Sequence, residues 1–327
     1  AEGAGIGLPM RARMREALMS LQGFRFDFVD CHSDLIERFT KDPPAFVFNL
    51  CDEGFSNDAL KELHVPALLE MLDIPYSGAG PASLGLCYDK AKVAAIARSL
   101  EIAVPDQTLY DSDDRGSTLP SVFPALVKPV YGDSSIGITV DSVVHDASEL
   151  VARIHSLGVE LPGVPLLVQE FLTGPEYTVG IIGNPGILHH VLPVLEVDYS
   201  KLDPALPPIL GYESKWDPDS PYWSQIRYEE SRAPVEIRDA MIDASITLFQ
   251  QLGCRDYARF DFRADAQGRA KLLEVNPNPG WCWDGKLNLM AEIDGWSYEQ
   301  LLRRIILAAQ ERVVAERERR ARAVNPS

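Results

Sequence analysis

The segment ARFDFRADAQGRAKLLEVN, residues 258–276, has the pattern of a β-hairpin and restricts the possible folds more than any other stretch. Two apolar-rich strands flank the turn sequence DAQG. Because side chains on a strand alternate between faces, Arg259 and Asp261 share one face of the first strand, and Glu274 and Asn276 share one face of the second. The sequence therefore predicts a sheet that carries polar groups in its middle.

The length of the turn decides whether these polar groups meet. A four-residue loop places Asp261 opposite Leu272 and Arg259 opposite Glu274, with all four polar groups on one face, whereas three or five residues would separate them. Two carboxylates and a carboxamide oxygen suit Mg²⁺, which takes few protein ligands and completes its shell from phosphates and water. The alternative is a surface ion pair between Arg259 and Glu274.

Composition limits the function classes. The chain has 327 residues, enough for two or three compact subdomains. Its net charge of −17 argues against a nucleic-acid partner, because an acidic surface repels phosphates. Its five cysteines are widely spaced without a C-x-x-C pair, which indicates neither zinc nor disulfides and fits a reducing cytoplasm. No membrane span or signal peptide is visible. We therefore expect a cytoplasmic protein that binds neither nucleic acid nor membrane.

Hydrophobic periodicity predicts three regions. Helices at 11–21 and 64–74 and strands at 24–30 (FRFDFVD) and 46–50 (FVFNL) predict a parallel α/β layer at the N-terminus. A helix over about 88–101 has one apolar stripe, with Lys90 at the inward edge of its N-terminal end. From residue 122 strands predominate, among them GITVDSV. A long loop rich in Pro, Tyr and Trp is expected over 199–234. The last helix begins near 297. We expect an N-terminal domain over 1–86, a central subdomain over 87–180 and a C-terminal subdomain over 181–327.

Two loops are candidates for nucleotide contacts. In VKPVYGDSSIGIT, 127–139, Lys128 ends a strand, and small residues that include Ser134 and Ser135 let backbone N–H groups approach an anion. The spacing is not that of a Walker A motif, and a β-hairpin turn is the alternative. In VQEFLTGPEYTV, Gln169 and Glu176 flank a strand end that could pair with an adenine ring. Here a plain strand–turn–strand is the alternative.

Taken together, these motifs resemble the ATP-grasp superfamily and, within it, the D-alanine–D-alanine ligase family. The resemblance spans the chain from about residue 45 and rests on six segments in family order and spacing: LLEMLDIPYSGAG…DK, LVKPVYGDSSIG, VQEFLTGPEYTV, YESKW, ARFDF and LEVNPNPG. It implies an α+β ATP-grasp fold of three subdomains, with ATP held between two β-rich subdomains. It also implies a homodimer that acts on small amino-acid or amino-acid-like substrates.

The resemblance assigns roles to individual residues. The nucleotide contacts it implies are Lys90, Lys128, Ser135, Gln169, Glu170, Phe171, Leu172 and Glu176. Lys90 and Lys128 match the phosphate lysines, backbone groups near Phe171 and Leu172 the adenine contacts, and Glu176 the ribose contact. The catalytic groups it implies are Arg259 and the Gly280 N–H at the oxyanion, Ser134 in the lid and Lys215 on a mobile loop. Asp261, Glu274 and Asn276 match the ligands of two Mg²⁺ ions, for which Mn²⁺ could substitute.

The reaction that the resemblance implies is amide formation through an acyl phosphate. A carboxylate attacks the γ-phosphoryl group of ATP, and an amine then displaces phosphate from the acyl phosphate. Phosphoryl transfer needs positioning and charge neutralisation, which lysines, Arg259 and Mg²⁺ can supply. A closing lid would keep water from the acyl phosphate.

The sequence departs from the family at the substrate contacts. Gln169 stands where the family has an adenine-contacting glutamate, and the family's early ammonium-binding glutamate has no clear counterpart. We expect Glu53, Trp216 and Lys286 at the substrate end, with Lys286 suited to a carboxylate. Trp281 and Trp283 either shape this pocket or belong to the core. Ligation of D-alanine to D-alanine is the leading hypothesis. The alternatives are another dipeptide or peptide-like product, or a non-catalytic ATP-binding protein.

Overall fold

The computed structural model describes residues 7–52, 54–111, 122–132 and 135–324. The α-helices of these residues are α1 (Gly7–Met19), α2 (Leu35–Lys41), α3 (His64–Met71), α4 (Pro81–Cys87), α5 (Lys90–Ser99), α6 (Ala147–Glu160), α7 (Glu213–Trp216), α8 (Pro221–Gln225), α9 (Val235–Gln251), α10 (Lys286–Ile293) and α11 (Tyr298–Val324). Their strands are β1 (Gln107–Tyr110), β2 (Ala125–Pro129), β3 (Val143–Val144), β4 (Leu166–Glu170), β5 (Glu176–Asn184), β6 (Leu188–Val191), β7 (Leu195–Asp198), β8 (Arg227–Glu230), β9 (Tyr257–Ala264) and β10 (Ala270–Asn276).

The strands form two antiparallel sheets. The smaller sheet has the order β1-β4-β2-β3, and the larger has the order β10-β9-β5-β7-β8, with β6 paired to β5. Helix α6 covers the smaller sheet, and its Leu150 and Leu157 pack against Val127 and Val168. The prediction that strands predominate from residue 122 onward is therefore confirmed.

One face of the larger sheet is a continuous apolar core. Helices α5 and α9 pack there, with Val93 and Leu248 against Phe260 and Phe262. Helix α5 begins where the sequence predicts, because the Asp89 side chain caps it by accepting the Lys92 N–H at 3.0 Å. Lys90, the first residue of α5, is thereby held at the edge of this sheet.

The N-terminal prediction is wrong in part. In the described residues before Gln107 no named strand forms, and parallel pairing is limited to one bridge between Val47 and Tyr76. The segment FRFDFVD has the alternation of a strand, but its Phe24, Phe26 and Phe28 rings pack on one another and on the cluster that joins α1 to α11. Side-chain packing has replaced strand pairing, because no neighbouring strand is available to accept the backbone hydrogen bonds.

Two later predictions also need correction. The segment GITVDSV is mainly a 3₁₀ turn over Val140–Ser142 followed by the two-residue strand β3, because the Thr139 and Ser142 side chains form a capping box. The long segment 199–234 contains α7, α8 and β8 rather than only loop. None of the helices in the described residues has the length and apolarity needed to span a membrane.

Candidate active site

A cleft partly open to solvent lies where the two sheets face each other, with about 900 Å³ of space in and in front of it, open solvent included. Most of the residues singled out in the sequence line it: Lys90, Lys128, Ser135, Gln169, Glu170, Phe171, Leu172, Glu176, Lys215, Arg259, Asp261, Glu274 and Lys286. Asn276 lines a smaller adjoining pocket with Lys90 and Glu274. Ser134 and Glu53 lie outside the described residues.

The hairpin of β9 and β10 carries the acidic groups, with a register that differs from the predicted one. Ala264 pairs with Ala270, so the loop has five residues rather than four. A β-bulge between Leu272 and Glu274 then shifts the pairing, and Glu274 lies opposite Asp261 while Asn276 lies opposite Arg259. The five-residue loop and the bulge offset each other, and the four polar groups share one face.

Asp261 lies at the centre of a dense set of donors. Its Oδ1 accepts a hydrogen bond from Thr178 Oγ1 at 2.7 Å, and its Oδ2 accepts from Arg259 Nη2 at 3.1 Å and from Asn276 Nδ2 at 3.2 Å. Burial opposes ionisation of Asp261, but Arg259, and after it Lys286, hold the pKa of the carboxyl below its ordinary value. Asp261 is therefore an anion at neutral pH.

The donor set fits a hard divalent cation. No group of three His, Cys, Asp or Glu side chains that could hold a metal occurs among the residues with described positions. Asp261 and Glu274 supply two carboxylates, and Asn276 turns its amide nitrogen toward Asp261, which leaves the carboxamide oxygen out of that contact. Such a sparse oxygen set suits Mg²⁺ or Mn²⁺ that draws its other ligands from phosphates and water, and does not suit zinc.

Lysines surround Glu274. Lys90 Nζ lies 3.7 Å from Glu274 Oε2 and also donates to Gly132 O. Burial raises the pKa of Glu274, but the positive field of Lys90, Lys128 and Lys215 more than offsets this, and the net shift is downward. The cleft thus holds a carboxylate pair inside a cationic ring, which is an arrangement suited to a metal-bound polyphosphate.

Lys128 and Lys215 are poised to lose their protons at moderately alkaline pH. Burial, and then the charge of Lys90, lowers the pKa of Lys128 to about 8. Lys215 lies on an exposed stretch of chain, but its ammonium group reaches into the cleft, where desolvation lowers its pKa to about 8 against the opposing effect of Glu274. An anionic ligand would stabilise both ammonium groups.

The two pKa values predict opposite pH effects on nucleotide affinity and on stability. Because deprotonation removes positive charge, we expect ATP affinity to fall as pH rises through about 8. The folded pKa lies below the unfolded value of 10.5, so between these values the unfolded chain binds more protons, and these two groups favour folding increasingly as pH rises. Calorimetric titration with ATP and thermal unfolding from pH 7 to 10 measure both. An ATP affinity that stays constant over this range would contradict the assignment, and Lys128→Met should flatten the profile.

The end of β4, where the sequence predicts adenine contacts, leaves backbone groups without a partner among the described residues of its sheet. Glu170 N–H donates to Asp106 O at 2.8 Å, but Asp106 N–H donates to the Glu170 carboxylate instead of to its carbonyl. The Glu170 side chain also pairs with Lys271. The part of Glu170 that remains available for a ligand in the cleft is therefore its backbone. Phe171 N–H is bonded to Pro124 O, whereas no backbone bond of the Leu172 N–H occurs in the described part of the chain. The Glu170 carbonyl and the Leu172 N–H are the groups available to a base.

The Gln169 carboxamide oxygen is a further acceptor at the end of β4. Its Nε2 donates to Gln107 Oε1 at 2.9 Å, which turns the Gln169 carboxamide oxygen away from that partner. Gln169 is 2 % exposed, so its orientation is fixed by packing as well as by this bond. Gln169, where the resemblance implies an adenine-contacting glutamate, therefore still has an oxygen acceptor available.

The glycine-rich loop is bonded to the segment that carries Lys215. Ser135 Oγ donates to Leu210 O at 2.8 Å, and Tyr212 N–H donates to Ile138 O at 2.7 Å. Ser135 has a φ of 59°, which turns the chain sharply at the loop. The glycine-rich loop and the Lys215 segment are thus bonded to each other beside the cleft, which Ser135 and Lys215 both line.

The substrate end is only partly as predicted. Lys286, the first residue of α10, lines the cleft, and its Nζ donates to Thr178 Oγ1 at 3.2 Å. Trp216 is 53 % exposed and does not line the cleft. Trp281 belongs to the core against Met14 and Tyr298, which favours the core alternative for this residue.

An acidic residue near Gly280 escaped the sequence interpretation. Asp52 Oδ2 lies 3.7 Å from the position that a Cβ on Gly280 would take. Arg263 and Tyr199, which contact Glu176 at the other end of the cleft, were also missed. Arg263 could have been found, because it continues the alternation of Arg259 and Asp261, whereas Tyr199 is distant in sequence.

Comparisons with known proteins agree on one family. Residues 115–307 match the family model for the D-ala D-ala ligase C-terminus. The D-alanine–D-alanine ligase of Syntrophotalea carbinolica is 30% identical over 88% of this chain and 86% of its own length, and the uncharacterized protein y4sG of Sinorhizobium fredii is 31% identical over 85% and 80%. The structure resembles that of D-alanine–D-alanine ligase from Bacillus anthracis complexed with ATP, with a TM-score of 0.68, 24% identity and coverage of 93% and 92%.

Proposed function

Because the chain belongs to the D-alanine–D-alanine ligase family of ATP-grasp enzymes, we propose that it joins two amino acids, with D-alanyl-D-alanine as the leading product. The family makes the chain an ATP-dependent ligase that forms a C–N bond. The observation that carries the ligase proposal is the one-face placement of Arg259, Asp261, Glu274 and Asn276 beside a ring of lysines, and the D-alanine substrates are proposed from the relatives.

The phosphate end of the cleft would bind and activate the nucleotide. Lys90, Lys128 and Lys215 would contact the phosphates, and Asp261, Glu274 and Asn276 would hold two Mg²⁺ ions. The metal would supply charge neutralisation for the transferred phosphoryl group. The loop with Ser134 and Ser135 would close over the phosphates with the Lys215 segment, and the hydrogen bond from Ser135 to Leu210 would help this cover to exclude water from the acyl phosphate.

The reacting carboxyl group would lie between Arg259 and the Gly280 N–H. Arg259 uses Nε and Nη2 on Asp261 Oδ2, which leaves other N–H groups of the guanidinium for an oxyanion. Glu53 and Asp52 lie in the segment that would meet the first substrate. Charge that develops on the carbonyl oxygen would thus meet donors already fixed in place.

Lys286 is proposed to bind the carboxylate of the second amino acid. Burial lowers its pKa, but Asp261 more than offsets this, so Lys286 stays a cation. We expect Lys286→Met to raise the KM of the second amino acid about tenfold or more, because a charge-assisted hydrogen bond is lost, while the KM for ATP changes little. Lys201→Met, on the exposed surface, is the matched control. An equal rise in the KM of the second amino acid and in the KM for ATP would indicate that Lys286 contacts the phosphates instead.

The deciding experiment is phosphate release from ATP with a panel of D- and L-amino acids, singly and in pairs, with the mass of the product. Release that requires D-alanine and yields its dimer would establish the leading product. Release with another pair would assign a different dipeptide or peptide-like product. ATP binding without amino-acid-dependent release would indicate a non-catalytic protein and contradict the proposal.

The proposed organisation keeps three parts, 1–86, 87–180 and 181–327, with one refinement. Strand β5 crosses residue 180 and pairs with β9, so we place its start, Glu176, in the C-terminal part. We also propose a homodimer, which light scattering of the purified chain would test.

A further inference from the structure

Arg263 extends the row of polar side chains along β9 toward the nucleotide end of the cleft. In the pairing of β5 with β9, Asp261 lies opposite Thr178 and Arg263 lies opposite Glu176. Arg263 is 5% exposed and Glu176 is 6% exposed, yet both line the cleft. A buried arginine and a buried glutamate both need partners, and the register makes each the neighbour of the other.

The contacts of this pair hold one carboxylate oxygen and leave the other open. Arg263 Nη1 lies 3.6 Å from Glu176 Oε2, and the Tyr199 hydroxyl donates to the same oxygen at 3.0 Å. In the described part of the chain, no residue hydrogen-bonds to Glu176 Oε1. The carboxylate is therefore oriented by two donors on one side and presents a free acceptor on the other.

Arg263 is itself fixed to the turn that follows β4. Its Nε donates to Gly174 O at 3.1 Å. The guanidinium carbon lies 5.1 Å from the centre of the Phe171 ring and 5.7 Å from that of Tyr199, distances at which a cation is attracted to an aromatic face. Arg263 thus links the β4–β5 turn, the Glu176 carboxylate and the segment that begins at Tyr199.

We propose that Arg263, together with Tyr199, positions the Glu176 carboxylate to accept hydrogen bonds from the nucleotide ribose and so makes the enzyme select nucleotides that carry ribose hydroxyls. The inference rests on the proposed function, in which ATP lies in this cleft. With Oε2 occupied, Glu176 can rotate little, and Oε1 stays at one distance from the end of β4. A ribose whose hydroxyls reach Oε1 gains charge-assisted hydrogen bonds, and a deoxygenated sugar leaves a buried acceptor unpaired.

The test compares ATP with 2′,3′-dideoxy-ATP in the wild-type chain and in variants, through kcat/KM for each nucleotide. We expect the wild type to prefer ATP by about 10- to 100-fold, as for hydrogen bonds to a charged group. Arg263→Met should reduce this preference to a few-fold without changing the KM of the amino acids. Arg263→Lys, which restores a cation without the planar fork, should recover part of it. Arg232→Met, at an exposed arginine that pairs with Glu229, should behave as wild type.

Tyr199→Phe keeps the test decisive if Arg263→Met fails to fold, because it removes only one hydroxyl from the Glu176 carboxylate. A folded Tyr199→Phe variant should lose part of the preference for ATP. A nucleotide preference that is unchanged in both variants, or absent from the wild type, would overturn the inference and leave Arg263 a purely structural residue. If the wild type turns over no amino acid, the proposed function fails, and calorimetric binding of the same two nucleotides still tests Arg263.

Discussion

Glu274→Gln is expected to reduce amino-acid-dependent ATP turnover by about 10³-fold while the chain stays folded. Glu274 lies among Lys90, Lys128 and Lys215, with Lys90 Nζ 3.7 Å from its Oε2, and it faces Asp261 across the hairpin. Glutamine keeps the shape but removes the charge on which the proposed metal binding depends. The Glu274 side chain is 30% exposed, and Lys90 keeps its hydrogen bond to Gly132 O, so we expect the fold to be retained.

Binding measurements separate this role from a general loss of the site. Without the Glu274 charge, Lys90, Lys128 and Lys215 attract phosphates more strongly, so the affinity for metal-free ATP should be kept or increased. The additional affinity that Mg²⁺ or Mn²⁺ confers should be lost. Glu230→Gln, on the exposed strand β8, is the control and should match the wild type. Normal turnover in Glu274→Gln would refute the metal assignment.

Arg259→Lys is expected to lower kcat about 10²-fold with little change in the KM for ATP. The guanidinium donates to Asp261 Oδ2 through Nε at 3.2 Å and Nη2 at 3.1 Å, and it has further N–H groups in a fixed plane. A lysine keeps the positive charge beside Asp261 but cannot satisfy the carboxylate and an oxyanion in the same geometry. The loss should therefore appear in the transition state rather than in nucleotide binding.

Steady-state kinetics with saturating amino acids measure this effect, and thermal unfolding checks the fold. Arg232→Lys, on the exposed surface, controls for the substitution itself. A kcat within twofold of the wild type would show that Arg259 serves only to hold Asp261. A large rise in the KM for ATP would place the guanidinium at the nucleotide instead.

The sequence predicts the site better than the strands that carry it. The one-face placement of Arg259, Asp261, Glu274 and Asn276 is correct, but the predicted pairing is wrong, because the loop is longer by one residue and Leu273 bulges. A bulge depends on how two adjacent residues fit the opposing surface, and periodicity alone carries little information about it. Here Leu273 and Glu274 both line the cleft.

Long-range packing explains the other features that the sequence did not predict correctly. The alternation of Phe24, Phe26 and Phe28 is a valid strand pattern, but a strand also needs a partner, and the partner's position is set by the whole fold. Tyr199 reaches Glu176 from 23 positions away, through a segment without regular periodicity. By contrast, Lys90 and Lys128 lie in the cleft as the sequence predicts, because each lies near the end of an element whose apolar pattern is local.

The bulge at Leu273 makes the chemistry of the cleft depend on a residue with no reactive group. The number of residues along β10 decides which face its side chains take. One residue more or fewer between Ala270 and Glu274 would turn Glu274 and Asn276 toward the apolar core. The sequence would still contain every reactive side chain, yet Glu274 and Asn276 would no longer reach the cleft. In evolution, insertions and deletions in this hairpin should therefore be tolerated only in compensating pairs.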